Sequence, residues 1–298
     1  MSTTTQTEER FADVGRGITL CYETFGDESD PPLLLIQGLG MQLIGWPEEL
    51  CEQLAGRGFR VIRFDNRDAG RSTHMKGRPP TPGQMLRRRV PGQEYTLYDM
   101  AEDTAGLLRG LDAAPAHVVG VSMGGMIAQT LAAEHPDTVR SLTSIMSTTG
   151  NRWKGRPALS AYRFLLAKPP TSREAAIART VQIFEAIGSP GLPKDLDRIR
   201  DVAARSWDRD HDRASTGRQL GAVIASGDRT SDLRRITAPT LVIHGSGDKL
   251  VRPSGGRATT RAIPGARLQI VDGMGHDLPK AAWPQLVDGI VANAGRAA

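Results

Sequence analysis

Pro115-Ala116-His117-Val118-Val119-Gly120-Val121-Ser122-Met123-Gly124-Gly125-Met126-Ile127-Ala128-Gln129-Thr130-Leu131-Ala132-Ala133-Glu134-His135-Pro136 is the stretch whose reading decides the fold. His117 to Val121 is a β-branched run, and Met126, Ile127, Thr130 and Leu131 recur at helical spacing. Between them lies Gly120-Val121-Ser122-Met123-Gly124. A serine forced into a sharp turn from strand to helix leaves no room for neighbouring Cβ atoms, which accounts for the glycines on both sides of it. The strain of such a turn projects the hydroxyl out of the sheet, so the segment reads as a nucleophile elbow.

Working towards the N-terminus, Thr96 with Asp99 forms a capping box, and Leu97, Met100, Ala101, Thr104, Leu107, Leu108 and Leu111 keep helical spacing up to Asp112. Thr73 to Tyr95 is rich in Pro, Gly and Arg without a period and reads as a surface excursion. Phe59 to Phe64 reads as a buried strand, and Leu33 to Ile36 is a continuous apolar run of the kind that a strand buried on both faces shows. The first ends in the turn Asp65-Asn66-Arg67-Asp68-Ala69-Gly70-Arg71-Ser72, the second in the glycine loop Gln37-Gly38-Leu39-Gly40. Trp46 to Arg57 predicts a short helix with acidic residues in its first turn, and Phe11 to Phe25 an edge hairpin.

Beyond Pro136, Ser141 to Ser147 supplies another strand. The alternation of strand and helix implies an α/β fold with a mostly parallel sheet and helices on both faces. From Gly150 to about Arg235 the alternation stops. Helical stretches at Arg173 to Ile187, Lys194 to Trp207 and Arg213 to Ala225, with prolines between them, predict a helical cap over the carboxyl edge of the sheet. The organisation expected is therefore a core from 1–149, a cap from 150–235 and the second part of the core from 236–298. Trp153, Tyr162, Phe164, Phe184 and Trp207 lie in the insertion, either lining a pocket or packing the insertion's own core. Pro239 to Gly245 and Arg267 to Val271 resume the sheet, and Trp283 to Asn293 is a terminal helix.

The chain has 298 residues, a formal net charge of +5 and two cysteines, Cys21 and Cys51. The cysteines suggest neither a disulfide framework nor a metal cluster. Arg87-Arg88-Arg89 lacks the interleaved aromatic residues of a nucleic-acid surface and reads as a solvated face. The polar N-terminus lacks the pattern of a signal peptide, and no apolar run reaches membrane-spanning length, which predicts a cytoplasmic protein without a membrane anchor.

A serine hydroxyl needs a base when it attacks, and histidine suits that role when a carboxylate fixes its tautomer. Of the six histidines, His117 points away from the elbow's tip, His135 ends a helix, and His74 and His211 lie in irregular polar stretches. His244 and His276 lie at carboxyl ends of strands. His276, in a glycine-bounded loop, can reach Ser122; His244 is still within its strand and reads as a packing or hydrogen-bonding residue. Asp248 follows a strand directly and gives the chain order Ser, Asp, His. Asp272 and Asp277 are too close to His276 in sequence and read as turn residues.

Ser122 in its elbow, Asp248 and His276 in that order resemble the α/β-hydrolase superfamily over nearly the whole chain. Gln37 to Gly40 is similar to the family's His-Gly oxyanion loop with glutamine in place of histidine. Asp65 to Ser72 is similar to its Asp-x-Arg-Gly-x-Gly-x-Ser turn, with Asp68 replacing glycine. Together with Trp46-Pro47, these features resemble the branch of aclacinomycin methylesterase. The resemblance implies an oxyanion hole from the N–H groups of Leu39 and Met123, and a small-molecule ester substrate, with a polyketide methyl ester as the nearest case. A Ser-His-Asp esterase needs no metal or organic cofactor; no nucleic acid partner is expected, and the oligomeric state is expected to be monomer or homodimer. A dehalogenase or epoxide hydrolase would want aspartate in the elbow. A carbon-carbon bond hydrolase, a cofactor-free peroxidase or a ligand receptor with a slow triad would keep the same residues.

Overall fold

A computed structural model of the chain describes residues 8–161 and 169–297. Its sheet has eight strands: β1 Arg10–Asp13, β2 Thr19–Phe25, β3 Pro32–Ile36, β4 Arg60–Phe64, β5 Ala116–Val121, β6 Val139–Ile145, β7 Thr240–Gly245 and β8 Arg267–Val271. Their spatial order is β1-β2-β4-β3-β5-β6-β7-β8. β1 pairs with β2 and β2 with β4 antiparallel; every later pairing is parallel.

Successive side chains of a strand face opposite ways. In β3, Leu34 and Ile36 join the core beneath helices Leu97–Gly110 and Met123–Glu134, while Leu33 and Leu35 join the core shared by helices Glu48–Ala55 and Trp283–Ala294. Both faces of β3 are therefore buried, which is why Leu33 to Ile36 reads as an unbroken apolar run. Arg63, on β4, is also fully buried and is neutralised by Glu23 on β2.

The chain passes from β3 to β4 on one side and then crosses to β5 on the other, so β3 lies at the point where the winding direction reverses. In open α/β sheets that point is where ligands bind, outside the carboxyl ends of the strands. The register aligns those ends: Ile36 lies level with Phe64 and Gly120, Val121 with Ile145, and Gly245 with Val271. The segments that follow β3, β4, β5, β7 and β8 consequently emerge along one edge.

Between β6 and β7 lie helices Arg173–Ile187, Leu196–Arg209 and Ser215–Ser226 of the insertion; the first packs on the second and meets that edge at its C-terminal end, where the Ile187 carbonyl accepts the His276 N–H. Arg209 reaches Asp65 after β4 (2.8 Å), and Arg218 reaches Asp68 (2.6 Å). The insertion leaves and rejoins the core through a narrow neck. Gly150 packs against the backbone of Gly227, the Arg229 N–H donates to the Thr149 carbonyl (2.8 Å), and Asn151 bonds Asp228 (2.8 Å).

The expected helices and strands are present, none of their ends more than about three residues from where they were expected. Helices Thr230–Leu233 and Ser254–Ala262 were not expected, and neither was one in the surface excursion. The excursion from Thr73 to Tyr95 contains a short helix, Pro82–Arg87, whose N-terminus is closed by a capping box between Thr81 and Gln84. It is too short to show a period, but Thr81-Pro82-Gly83-Gln84 carries the capping signal. Trp153 is 62% exposed between Arg152 and Arg156, so it belongs to no core, and Trp207 stacks on His211. Tyr162 and Phe164 lie outside the described residues. Among the described residues no helix is long and apolar enough to cross a membrane.

Candidate active site

Ser122 occupies the junction of β5 and helix Met123–Glu134 with φ +54° and ψ −117°. That conformation is costly for a residue with a Cβ and persists only where its surroundings enforce it. Here they do: a Cβ at Gly120 would lie 2.2 Å from the Gly124 carbonyl oxygen, and one at Gly124 would lie 2.2 Å from that of Ile36. The two glycines let the strand, the helix and the end of β3 close on one another, and the hydroxyl is left at the tip.

His276 comes from the loop after β8, and Asp248 from the loop after β7. The Ser122 hydroxyl lies 2.9 Å from His276 Nε2, and His276 Nδ1 lies 2.7 Å from Asp248 Oδ2. Asp248 Oδ1 accepts the N–H groups of Leu250 and Val251, each at 2.9 Å. Burial pushes the Asp248 carboxyl up, but the charge of His276 and hydrogen bonds from His244 and His276 outweigh it and hold the group at about 2. An ionised carboxylate only accepts, so the proton of neutral His276 belongs on Nδ1 and the lone pair of Nε2 faces Ser122. This is the arrangement a general base requires.

His244 Nε2 also approaches this carboxylate, 3.5 Å from Asp248 Oδ2, and the same nitrogen bonds the Val251 carbonyl at 2.7 Å. Asp272 is occupied by Ser246 (2.8 Å) and takes no part in the cluster. Asp277 is turned away from the ring as well: Oδ1 accepts both the N–H (2.9 Å) and the hydroxyl (2.5 Å) of Ser189 in the insertion. The same insertion segment accepts the His276 N–H at the Ile187 carbonyl (2.8 Å). Ser189 thus helps the insertion clasp the histidine loop, a contact no sequence spacing announces.

On the other side of Ser122 lies the loop after β3. A Cβ at Gly38 would lie 3.2 Å from that of Ser122. Met123 opens its helix, so its N–H has no intrahelical acceptor. Among the described residues the Leu39 N–H also meets no acceptor. Gln37, where the resemblance leads one to expect histidine, accepts the Gly38 N–H at its own Oε1 (2.8 Å). Asp68, where it leads one to expect glycine, adopts the left-handed conformation, φ +60°. Its carboxylate takes Tyr95 Oη (2.7 Å), the Met75 N–H (2.9 Å) and the guanidinium of Arg218.

A mostly parallel sheet with a strained serine at the end of a central strand, and a histidine and a carboxylate returning to it from later loops, defines the class of α/β hydrolases. The family model for the alpha/beta hydrolase fold matches residues 31–279, and the chain belongs to that family. It is 32% identical to rhodomycin D methylesterase of Streptomyces peucetius, an alignment covering 93% of this chain and 95% of the relative. Among solved structures it resembles E-2-(acetamidomethylene)succinate hydrolase, with a TM-score of 0.72 and 25% identity over 96% of this chain and 99% of the other. A hydrolase from Pseudomonas aeruginosa PA01 shares the fold, with a TM-score of 0.71 and 24% identity over 98% of this chain and 99% of that one. The chain is an α/β hydrolase with esterase relatives.

Proposed function

We propose that this hydrolase cleaves carboxylic esters through an acyl-enzyme on Ser122. The observation that carries the reading is the unbroken relay from Ser122 through His276 to Asp248, at 2.9 and 2.7 Å, on a strained elbow. Ser122 Oγ attacks the ester carbonyl as His276 Nε2 takes its proton, and Asp248 stabilises the resulting imidazolium. The tetrahedral oxyanion is received by the N–H groups of Leu39 and Met123, each donor worth roughly a hundredfold or more in rate. His276 returns the proton to the leaving alcohol. It then takes one from water as that water attacks the acyl-enzyme carbonyl; the second tetrahedral intermediate collapses by breaking the bond to Ser122 Oγ, His276 returns the proton to that oxygen, and the carboxylic acid product leaves.

The substrate class is a small-molecule ester, with a methyl ester of a polyketide-type compound as the leading case. The likeness over nearly the full length to a rhodomycin D methylesterase supports that class. Residues 150–235 act as a cap that selects it, and 1–149 with 236–298 form the core. The two buried, unpaired thiols support a reducing compartment, the cytoplasm, where the protein works as a monomer or homodimer.

The test is hydrolysis of p-nitrophenyl acetate by the wild type and Ser122→Ala, with fluorophosphonate labelling of both. We expect turnover and label in the wild type, and a loss on the order of a millionfold in turnover in the variant. A wild type that takes the label yet turns over neither this ester nor small methyl esters would replace the esterase reading with that of a receptor.

A further inference from the structure

Gln219 projects from helix Ser215–Ser226 of the insertion and is fully buried. Its Oε1 accepts the Gly40 N–H at 2.8 Å, and its Nε2 donates to the Arg67 carbonyl at 2.9 Å. The pair fixes the sense of the amide, because turning it over would set donor against donor and acceptor against acceptor. A single insertion side chain therefore ties the loop after β3 to the loop after β4.

Its place in the first of these loops matters. Gln37 Oε1 holds the Gly38 N–H at 2.8 Å, and Gln219 Oε1 holds the Gly40 N–H at 2.8 Å. Between the two held peptides is the N–H of Leu39, which meets no acceptor among the described residues. Gly38, one residue before it, packs directly on Ser122. A donor kept without a partner between two immobilised neighbours, beside a nucleophile, is the preorganisation an oxyanion hole needs.

We propose that Gln219 is a positioning residue for the Leu39 oxyanion donor, with Gln37 as its counterpart on the core side. The cap then contributes to rate as well as to substrate choice, because the seating of helix Ser215–Ser226 aims a group of the reaction centre. The inference rests on the esterase reading above.

The test compares wild type, Ser122→Ala, Gln219→Met and Gln219→Glu on p-nitrophenyl acetate, an ester too small to need the cap for recognition. Methionine keeps the length of the side chain and loses both hydrogen bonds; glutamate keeps the acceptor for Gly40. For Gln219→Met we expect kcat to fall about ten- to a hundredfold, since small misplacements of reacting groups cost rates of that order. KM should stay within about twofold, because the lost interaction belongs to the transition state. Gln219→Glu should recover part of kcat. A Gln219→Met protein that melts cooperatively and turns over at the wild-type kcat, or one that changes KM alone, would overturn this inference and leave the esterase reading intact. An inert wild type would overturn the esterase reading and this one with it.

Discussion

Asp248 is the residue on which the electrostatics of the site turn. With its carboxyl held at about 2, it stays charged at any pH where the protein is used. Asp248→Asn keeps the shape but offers His276 an amide, which favours the wrong tautomer. We expect kcat on p-nitrophenyl acetate to drop by roughly ten-thousandfold while KM hardly moves. A drop smaller than tenfold would remove Asp248 from the relay. His117 makes the opposite case, a histidine used for structure. Burial and the charge of Arg140 push it from 6.5 down to about 4, and Nδ1 meets the Ser141 hydroxyl at 2.8 Å. The folded protein holds His117 neutral where the unfolded chain takes up a proton, so its contribution is present above pH ~6.5 and is lost as the pH falls towards 4. The size is on the order of 2 kcal/mol. Denaturation midpoints at pH 7 and 4.5 should differ less for His117→Asn than for the wild type. Ser122, His276 and Asp248 were legible in the sequence because each follows a strand within a few residues, and chemistry restricts the residue types. The second histidine beside Asp248 was legible only as a packing or hydrogen-bonding residue, since its distance to the carboxylate depends on the fold of the intervening loop.

At the scale of elements, the turn Asp65–Ser72 has become the seat of the insertion. Arg218 donates to both oxygens of Asp68 from Nε at 3.0 Å, and the pair is almost wholly buried. Removing one partner leaves an uncompensated buried charge. Arg218→Met should therefore cost about 3–5 kcal/mol in chemical denaturation, and the double variant Asp68→Asn/Arg218→Met should regain much of that loss. Equal losses in single and double variants would show that the pair is not coupled. The sequence marked Asp68 as a departure from a familiar turn but gave no sign of its partner, 150 positions further along. The same holds for Ser189 on Asp277 and Gln219 on Gly40. Local patterns specify helices and strands, whereas contacts between elements depend on how whole faces meet. Helix Pro82–Arg87 is the converse, a local feature whose capping signal stood in the chain but whose length hid its period.

Across the whole molecule, the fold was readable because the central strands are buried on both faces and the helices between them keep one apolar stripe. The same burial silences the two cysteines. Cys51 is pushed up to about 12 by burial, and Cys21 is raised by burial and by the charges of Asp65 and Glu9. Folded protein at pH 7.5 should fail to react with an aromatic disulfide reagent over minutes and should release the signal of both thiols once unfolded. Rapid reaction of the folded protein would show that one of these buried positions opens. The neck at Gly150 and Gly227 has a consequence for how such a molecule can change. Because the chain departs and returns at one doorway, the insertion behaves as a cassette: its length and contents can be exchanged without altering the spacing of β6 and β7. An exchange that ignores the seats would leave Asp68 without its guanidinium partner and Gly40 without its acceptor. A transplanted cassette has to bring its own arginine and glutamine, so diversification of this enzyme is a matter of new pockets mounted on old fastenings.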